Sequence, residues 1–522
     1  MMSSINHPQH VHDSDDEARR QQTIVGGILG GPLPASVRRA ALASTITYVC
    51  LAIGLALAFP HRGTGDSVYH LDYMYQLWGG RLPAPTGLAF HYAGTPVETG
   101  RQYASAHPPL YYLVSAPFVA PLLHAGHETA GILMARMVNT AMGALTLPAI
   151  ARLSWEIGGR FRDRLAVTAP LLAALAPTFI RLSGDVYNDV LLTSITAWTL
   201  VVLTISLRHG LNTVRVTALT VLVTAGMGTK ATFVVTIALV IGALAIRAVL
   251  KRRRSTWVLA VTASVLAVVV PLTTWGWFYA RNARLSGAWY RSTAKAPVEG
   301  RARKSLTFNL ENTGFYRIFL ERWAGSAGNM IGPVNLLRVF LVISVVSLLL
   351  WAAWTVRRRG LHAVARAEAP RKLVPLLVLI GLVVAHYAVQ LSQATGYGAY
   401  NIRYFLPTLP VFALIWAAAP CLMNRAGRLA LAVLAALEAL SSVSYQLNLI
   451  DSRYDELSST SPLATLSTAA ASNGVPPAVV MSLLVLALGS LCWAITQFPR
   501  GTGDGPGEDA CAPGRPGTRP VA

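Results

Sequence analysis

The chain of 522 residues is strongly apolar, with 53% hydrophobic residues, 13% charged residues and a mean hydropathy of +0.47. A soluble protein carries roughly 25% charged residues, so the composition excludes an ordinary soluble protein. The net charge of +21 does not indicate nucleic-acid binding, because the arginines form short clusters between apolar runs and no basic helix accompanies them. We predict an all-α polytopic membrane protein.

The polar residues 1–36 predict a disordered N-terminal tail on the cytoplasmic side, and the Gly/Pro-rich residues 499–522 predict a disordered C-terminal tail. Between them, residues 37–498 contain about twelve apolar runs of about 20 residues, the length of a membrane-spanning helix. The predicted spans are 40–60, 130–152, 165–183, 188–207, 213–228, 231–249, 256–279, 334–356, 373–392, 404–423, 427–446 and 477–497. An even number of spans places both termini in the cytoplasm.

A further apolar segment, residues 107–124, is interrupted by Pro108, Pro109, Pro117 and Pro121. Proline inside a helix costs about 3 kcal/mol unless neighbours bond the freed carbonyls, so we expect this segment to lie on the membrane rather than cross it. The arginine clusters between later spans then face the cytoplasm, as the positive-inside rule requires.

This topology gives two large external loops. Residues 61–129 form the first, which carries juxtamembrane helices, and residues 281–332 form the second. The unusual polar residues of the chain collect in the external loops. They are Asp66, His70, Asp72, His107 and Tyr111 in the first loop, Asp185, Asn188 and Asp189 before the fourth span, Lys230 before the sixth, Arg281 at the start of the second large loop, and Arg403 and Tyr404 before the tenth span.

These residue types point to transfer chemistry. A carboxylate suits a general base or a metal ion, and Lys and Arg suit a phosphate. Ionisable groups at a membrane boundary are costly to desolvate and usually mark a functional site. Carboxylates and cations that lie together on the external side of the membrane therefore predict transfer of a group from a phosphorylated substrate that is embedded in the membrane.

The ordered motifs resemble the GT-C glycosyltransferases, in the branch of the protein O-mannosyltransferases and aminoarabinose transferases (glycosyltransferase family 39-like). The motifs are the acidic loop from Asp66 to Asp72, His107-Pro108-Pro109-Leu110-Tyr111-Tyr112, Gly184 to Asp189, Thr229-Lys230, Trp277-Phe278-Tyr279-Ala280-Arg281-Asn282, and Arg403-Tyr404-Phe405-Leu406-Pro407. Together they cover roughly residues 60–410, in the family's order.

The resemblance implies a GT-C type membrane fold and an enzyme that takes a sugar, such as mannose or a pentose, from a polyprenyl-phosphate donor. The sugar passes to an acceptor hydroxyl on a glycan, lipid, protein or natural product, outside the cytoplasmic membrane and in contact with its lipids. The family's first loop often carries adjacent acids, whereas Ser67 follows Asp66 here. A divalent cation is therefore left open, and no other cofactor is indicated.

Asp66 is the predicted general base, because a carboxylate can take the acceptor's proton as its oxygen attacks the sugar. Asp72 either supports it or is a solvated loop acid. We assign His70, His107, Tyr111, Asp185, Asn188, Asp189, Lys230, Arg281, Arg403 and Tyr404 to substrate and donor binding. The alternatives are helix caps for Asn188 and Asp189 and snorkelling cations for the basic residues.

A secondary transporter with twelve spans is the alternative function, and a scaffold protein without catalysis is a third reading. Transporters place their coupling charges near the bilayer midplane. The predicted spans are nearly free of acids, with Glu438 as an exception. The sequence leaves open the sugar, the acceptor, the metal dependence and the oligomeric state.

Overall fold

The computed structural model describes residues 26–61, 66–91, 102–290, 304–312, 345–346, 349, 373–397, 401–423, 426–451 and 461–499. The long regular elements in these ranges are all helices. They are α1 (Ala35–Ala58), α2 (Ser67–Trp78), α3 (Leu110–His124), α4 (Glu128–Ala144), α5 (Thr146–Ile157), α6 (Arg162–Leu175), α7 (Pro177–Ser183), α8 (Asn188–His209), α9 (Thr213–Thr229), α10 (Val234–Lys251), α11 (Arg254–Ser286), α12 (Leu306–Glu311), α13 (Val374–Tyr397), α14 (Leu409–Leu422), α15 (Gly427–Asp451), α16 (Pro462–Ser472) and α17 (Pro477–Thr496). Short 3₁₀ helices lie at Tyr103–Ala106, Gly159–Phe161, Ala231–Phe233 and Ile402–Thr408.

Nine helical segments in the described part of the chain are long and apolar enough to cross a membrane, or ten if α6 and α7 form one bent span. Three of the nine combine consecutive elements: α4 with α5, the 3₁₀ helix Ala231–Phe233 with α10, and the 3₁₀ helix Ile402–Thr408 with α14. The prediction of an all-α polytopic membrane protein is therefore confirmed. The predicted span 213–228 is the shorter apolar helix α9, with 17 residues. The predicted span 334–356 lies outside the described residues, apart from 345–346 and 349.

The segment 107–124 contains the helix α3, which begins after Pro108 and Pro109 and continues through Pro117 and Pro121. The last two prolines therefore do not interrupt the helix, while α3 is one of the shorter apolar helices and not a candidate span, as expected. Pro117 and Pro121 lie inside α3 on its exposed face, where the carbonyls they free do not face the core. Its 15 residues make a helix of about 22 Å, which is shorter than the hydrocarbon core of a bilayer. It packs against α2 and α4, within the predicted first external loop.

The predicted span 165–183 is broken. α6 and α7 meet at Ala176 with a bend of 60°. Ala176 adopts φ −59° and ψ 117°, because the residue before a proline avoids the α conformation and Pro177 follows. The bend directs the chain into the turn that holds Asp185.

The centre of the bundle is α8. The apolar stretch of α8 is 89% buried, whereas the apolar stretch of α11 is only 22% buried. α11 therefore lies at the periphery of the bundle. α8 begins at Asn188 and ends at His209, whose ring nitrogen lies 3.0 Å from the Glu156 carboxylate. A helix of 22 residues is about 33 Å long. The predicted site and the charged cluster around Glu156 therefore lie at opposite ends of α8.

Two predicted boundaries differ from the structure. Residues 26–34, assigned to the N-terminal tail, contact the bundle, since the Arg152 guanidinium donates to the carbonyl of Gly31 at 2.7 Å and also pairs with Glu156. α11 continues to Ser286, past the predicted end of the span at residue 279, so Arg281 lies in the last turns of a helix that extends into the predicted second external loop.

Candidate active site

Asp66 and Arg403 are brought together from positions that are 337 residues apart. Asp66 immediately precedes α2, and Arg403 belongs to the 3₁₀ helix Ile402–Thr408. The Arg403 guanidinium donates a hydrogen bond to the Asp66 carboxylate and forms an ion pair with it. The Asp66 side chain is 39% exposed and that of Arg403 is 14% exposed. The contact joins the predicted base to the predicted phosphate ligand at an accessible position.

The charge of Arg403 holds the pKa of the Asp66 carboxyl below its ordinary value of 3.8, against the opposing effect of burial. Asp66 is therefore ionised at neutral pH. While it is paired with Arg403, it is a weak base.

A second ion pair lies beside the first. Lys230 Nζ is 2.5 Å from Asp189 Oδ1, and both side chains are buried. The Lys230 ammonium lies 4.5 Å from the centre of the Tyr404 ring, and the Arg403 guanidinium lies 5.3 Å from the same ring. Tyr404 thus contacts both cations, which makes the two pairs one cluster.

The turn before α8 is held by its own polar side chains. Asp185 Oδ1 accepts hydrogen bonds from Ser67 Oγ at 2.6 Å and from the backbone N–H of Val186 at 2.9 Å. Asn188 Nδ2 donates to the carbonyl of Thr229 at 3.1 Å. These contacts fix the loops that carry Asp66, Asp189 and Lys230 relative to one another, which is a positioning role for Asp185 and Asn188.

The two predicted histidines are neighbours. The His70 and His107 rings stack with centres 5.9 Å apart, and His70 Nδ1 lies 2.8 Å from the Tyr112 hydroxyl. Burial lowers the pKa of His70 to about 3. Burial, and next the charge of Lys230, lowers the pKa of His107 well below 6.5. Both imidazoles are therefore neutral near pH 7 and add no positive charge.

Asp72 does not belong to this cluster. Its Oδ1 accepts from the backbone N–H groups of Ala89 and Phe90 at 2.7 and 2.8 Å, and its Oδ2 accepts from Gln76 and Gln102 at 2.7 and 2.5 Å. The residue is 0% exposed. A carboxylate has about four acceptor positions, and all of them are used here. The catalytic assignment of Asp72 is corrected to a structural one, in which it pins the first loop to α2.

Arg281 and Tyr111 also make structural contacts. The Arg281 guanidinium donates to the carbonyls of Leu82 and Pro83 at 3.3 and 3.0 Å, which fastens the first loop to α11. Tyr111 is fully buried, and its hydroxyl lies 3.4 Å from Asn139 Oδ1. Among the described contacts neither residue bonds the two ion pairs, although the Tyr111 ring packs edge-on against His70 with centres 6.2 Å apart, and their assignment to substrate binding stays a prediction.

Sequence reasoning missed Ser67, Tyr187 and Asn139. The Tyr187 ring lies 5.4 Å from the Arg403 guanidinium, and Asn139 Nδ2 donates to the carbonyl of Asp185 at 2.8 Å. Ser67 and Tyr187 adjoin predicted residues in the sequence, and that adjacency was the available signal. Asn139 carries no such signal, because its partners are carbonyls in a distant loop.

The described residues contain no group of three or more His, Cys, Asp or Glu side chains that could hold a metal ion. Asp66 and Asp189 each bond a cationic side chain. The cluster therefore combines a partly exposed carboxylate with two cations, an arrangement that can bind an anion and accept a proton.

No protein-family model matches this chain, and no curated protein sequence matches it. Several solved chains resemble its fold, and two of them are structures of the same protein. The crystal structure of ArnT from Cupriavidus metallidurans bound to undecaprenyl phosphate has a TM-score of 0.46 and 14% identity, over 88% of this chain and 77% of that chain. The apo state of the same protein has a TM-score of 0.44 and 15% identity, over 88% of this chain and 76% of that chain. At these values the likeness assigns no activity.

Proposed function

We propose that this protein is a membrane glycosyltransferase that moves a sugar from a polyprenyl-phosphate donor to an acceptor hydroxyl on the extracytoplasmic face of the cytoplasmic membrane. The observation that carries the proposal is the contact of Asp66 with Arg403, directly beside the pair of Lys230 and Asp189. A base and a phosphate-binding cation are the two groups that this reaction needs. The order of the sequence motifs supports the same reaction class.

Arg403 and Lys230 are the proposed ligands of the donor phosphate. Arg403 Nε is buried and has no hydrogen-bond partner among the described residues, so one side of the guanidinium is free to donate. Both cations are paired with carboxylates here, so a phosphate must compete with those carboxylates for them. A bidentate contact with a phosphate suits the planar guanidinium.

Phosphate binding also explains how Asp66 becomes a base. When Arg403 turns to the phosphate, Asp66 loses the charge that lowers its pKa, and its pKa rises. The bond between the anomeric carbon and the phosphate oxygen then breaks, and its electrons stay on the phosphate. The acceptor oxygen forms the new bond to the anomeric carbon, and its proton moves to Asp66. The growing phosphate charge is stabilised by the two cations.

The sugar is proposed to be mannose or a pentose, and the acceptor a glycan, lipid, protein or natural product. The neutral imidazoles of His70 and His107 suit hydrogen bonds to sugar or acceptor hydroxyls, since each neutral ring offers one donor and one acceptor nitrogen. No nucleic acid takes part in this proposal.

The test is an assay of the protein in lipid nanodiscs with a panel of radiolabelled polyprenyl-phosphate sugars and candidate acceptors. We expect one donor to release its label to an acceptor and leave polyprenyl phosphate, and parallel reactions with EDTA and with added Mg²⁺ measure the metal dependence. Asp66→Asn should lower turnover by about 10²–10⁴-fold while the protein stays folded, the usual contribution of a positioned general base. Asp72→Asn is the matched control on the same helix. It leaves donors around Asp72 unsatisfied, so it should lower the free energy of unfolding by about 1–3 kcal/mol and leave turnover per folded molecule near wild type.

A secondary transporter is the second candidate, on one observation. Glu438 lies in α15, is 2% exposed, and its Oε2 has no partner in the part of the chain that the structure describes. Buried acids inside spans often mark transport pathways. If the intact protein consumes none of the lipid-linked sugars, the glycosyltransferase proposal fails and transport becomes the leading function.

A further inference from the structure

The apolar helix α13 carries two buried polar side chains, His386 and Gln390, each 1% exposed. They are four residues apart, so they lie on the same face of the helix, one turn from each other. Leu382 lies one turn earlier on the same face and is 0% exposed, so this face of the helix is packed inside the protein. Buried polar groups in such a helix need hydrogen-bond partners.

Both side chains bond the backbone of the segment that carries Arg403. His386 Nδ1 lies 2.8 Å from the carbonyl oxygen of Tyr404, and Gln390 Nε2 donates to the carbonyl oxygen of Asn401. A carbonyl only accepts hydrogen bonds, so His386 Nδ1 carries the proton. The two bonds therefore hold the backbone on both sides of Arg403.

The sequence explains why the Tyr404 carbonyl needs this donor. Residues Ile402–Thr408 form a 3₁₀ helix, in which a carbonyl ordinarily bonds the N–H three residues later. For Tyr404 that position is Pro407, which has no N–H. His386 supplies the donor that Pro407 lacks.

We propose that His386 and Gln390 are positioning residues of the donor site, which act by fixing Arg403 and Tyr404. This proposal rests on the proposed function, in which Arg403 binds the donor phosphate. Tyr404 lies under Lys230, and Arg403 reaches Asp66, so a shift of this short segment displaces Arg403 and removes the ring that contacts Lys230. α13 thereby becomes part of the active site although neither side chain contacts substrate.

A role in helix packing alone does not account for His386. Its Nε2 is buried without a partner among the described residues, and an unsatisfied buried acceptor lowers stability. An apolar residue of similar size would pack without that loss. The hydrogen bond to Tyr404 is what the imidazole adds.

The test compares His386→Asn, which keeps a donor near the position of Nδ1, with His386→Leu, which removes it, and Gln390→Met, which removes the second donor. We expect His386→Leu and Gln390→Met to lower kcat/KM for the donor at least tenfold, with the KM of the acceptor unchanged. His386→Asn should recover most of that loss. Leu382→Ala, a packing variant on the same helix, should lower the melting temperature without changing donor kinetics.

A double-mutant cycle identifies the route of the effect. If His386 acts through Arg403, His386→Leu should cause no further loss in an Arg403→Ala background. Equal losses in both backgrounds, or no loss in His386→Leu alone, would overturn the positioning role.

A thermal-shift measurement of the binding of polyprenyl phosphate to the intact protein separates this proposal from the proposed function. If the intact protein neither binds it nor transfers sugar, the proposed function fails. If the intact protein does both and His386→Leu matches it, only the positioning proposal fails.

Discussion

Two acids of one short segment have opposite environments, and their environments decide their roles. Asp66 is partly exposed and paired with a cation, whereas Asp72 is fully buried and bonded by four donors. Burial raises the pKa of Asp72, while the charge of Arg403 lowers the pKa of Asp66. Of these two acids, Asp66 alone keeps a free carboxylate edge, so it is the one that is placed to accept a proton from a substrate.

Substitution of Arg403 tests the phosphate assignment. Lysine keeps the charge but loses the planar fork, so Arg403→Lys should already lower kcat and raise the KM for the donor. Arg403→Ala should lose more, about 2–4 kcal/mol of transition-state stabilisation, by analogy with donors that stabilise an oxyanion. The measurement is steady-state kinetics with donor and acceptor varied separately. A change confined to the acceptor KM would move the phosphate role to Lys230.

The same pair predicts a pH effect with a definite sign. The pKa of Asp66 is lowered in the folded protein, so the stability that its pairing contributes is present above pH 3.8 and is lost as the pH falls through the lowered pKa. Without Arg403, burial raises that pKa instead. The acidic limb of kcat/KM should therefore lie at higher pH in Arg403→Ala than in wild type, in a pH–rate profile of both proteins. Identical acidic limbs would contradict the coupling of the two residues.

At the scale of the elements, the turn between α7 and α8 links the packing of the bundle to the site. Gly184 lies so close to α1 that a Cβ atom there would be 2.9 Å from the backbone oxygen of Ala52 and 3.0 Å from Leu55. Asp185 follows and bonds Ser67 beside Asp66. The position of the candidate base therefore depends on the contact between α1 and this turn.

Gly184→Ala should lower the free energy of unfolding by about 1–3 kcal/mol, the usual cost of overpacking, and reduce turnover as well, because α1 backbone cannot move aside. Thermal unfolding and the transfer assay of the purified variant check both effects. The control is Gly242→Ala in α10, where a Cβ atom would meet nothing within 4 Å. If Gly184→Ala behaves like that control, the close contact with α1 has no mechanical role.

At the scale of the whole molecule, the charges at the two ends of α8 predict how the protein is oriented in the membrane. The positive-inside rule predicts that the end with Glu156 and its arginine partners is cytoplasmic and that the end with Asp66 is external. Single cysteines in a cysteine-free background test this with an impermeant thiol reagent on intact cells. We expect labelling at position 81 and none at positions 160 and 251. Labelling at position 160 from outside would reverse the orientation and place the site in the cytoplasm.

The amino-acid sequence alone determined the membrane class, the helical fold and most of the span positions, because apolar runs of bilayer length are a local property. It also predicted a common site for Asp66, Asp189, Lys230, Arg403 and Tyr404, whose side chains the structure places in one cluster, since ionisable residues and their aromatic neighbours at the ends of apolar runs are conspicuous in the chain. Local proline effects were harder to predict. The chain bends at Ala176, directly before Pro177, whereas α3 continues through Pro117. Pro117 is tolerated because it lies on the exposed face of α3, and which face is exposed depends on the neighbours that pack against the helix.

Only the tertiary structure decided which polar residues meet. Asp66 contacts Arg403 across 337 positions, and Lys230 contacts Asp189 across 41. Such pairings depend on which helix ends the packing of α8 brings together, and no periodicity in the chain encodes them. The same reason explains Asp72 and Arg281, whose residue types suit catalysis or phosphate binding. Asp72 bonds two backbone N–H groups and two glutamine side chains within the first loop, and Arg281 bonds two backbone carbonyls of that loop. Residue type limits what a side chain can do, and its neighbours in space determine which of those roles it takes.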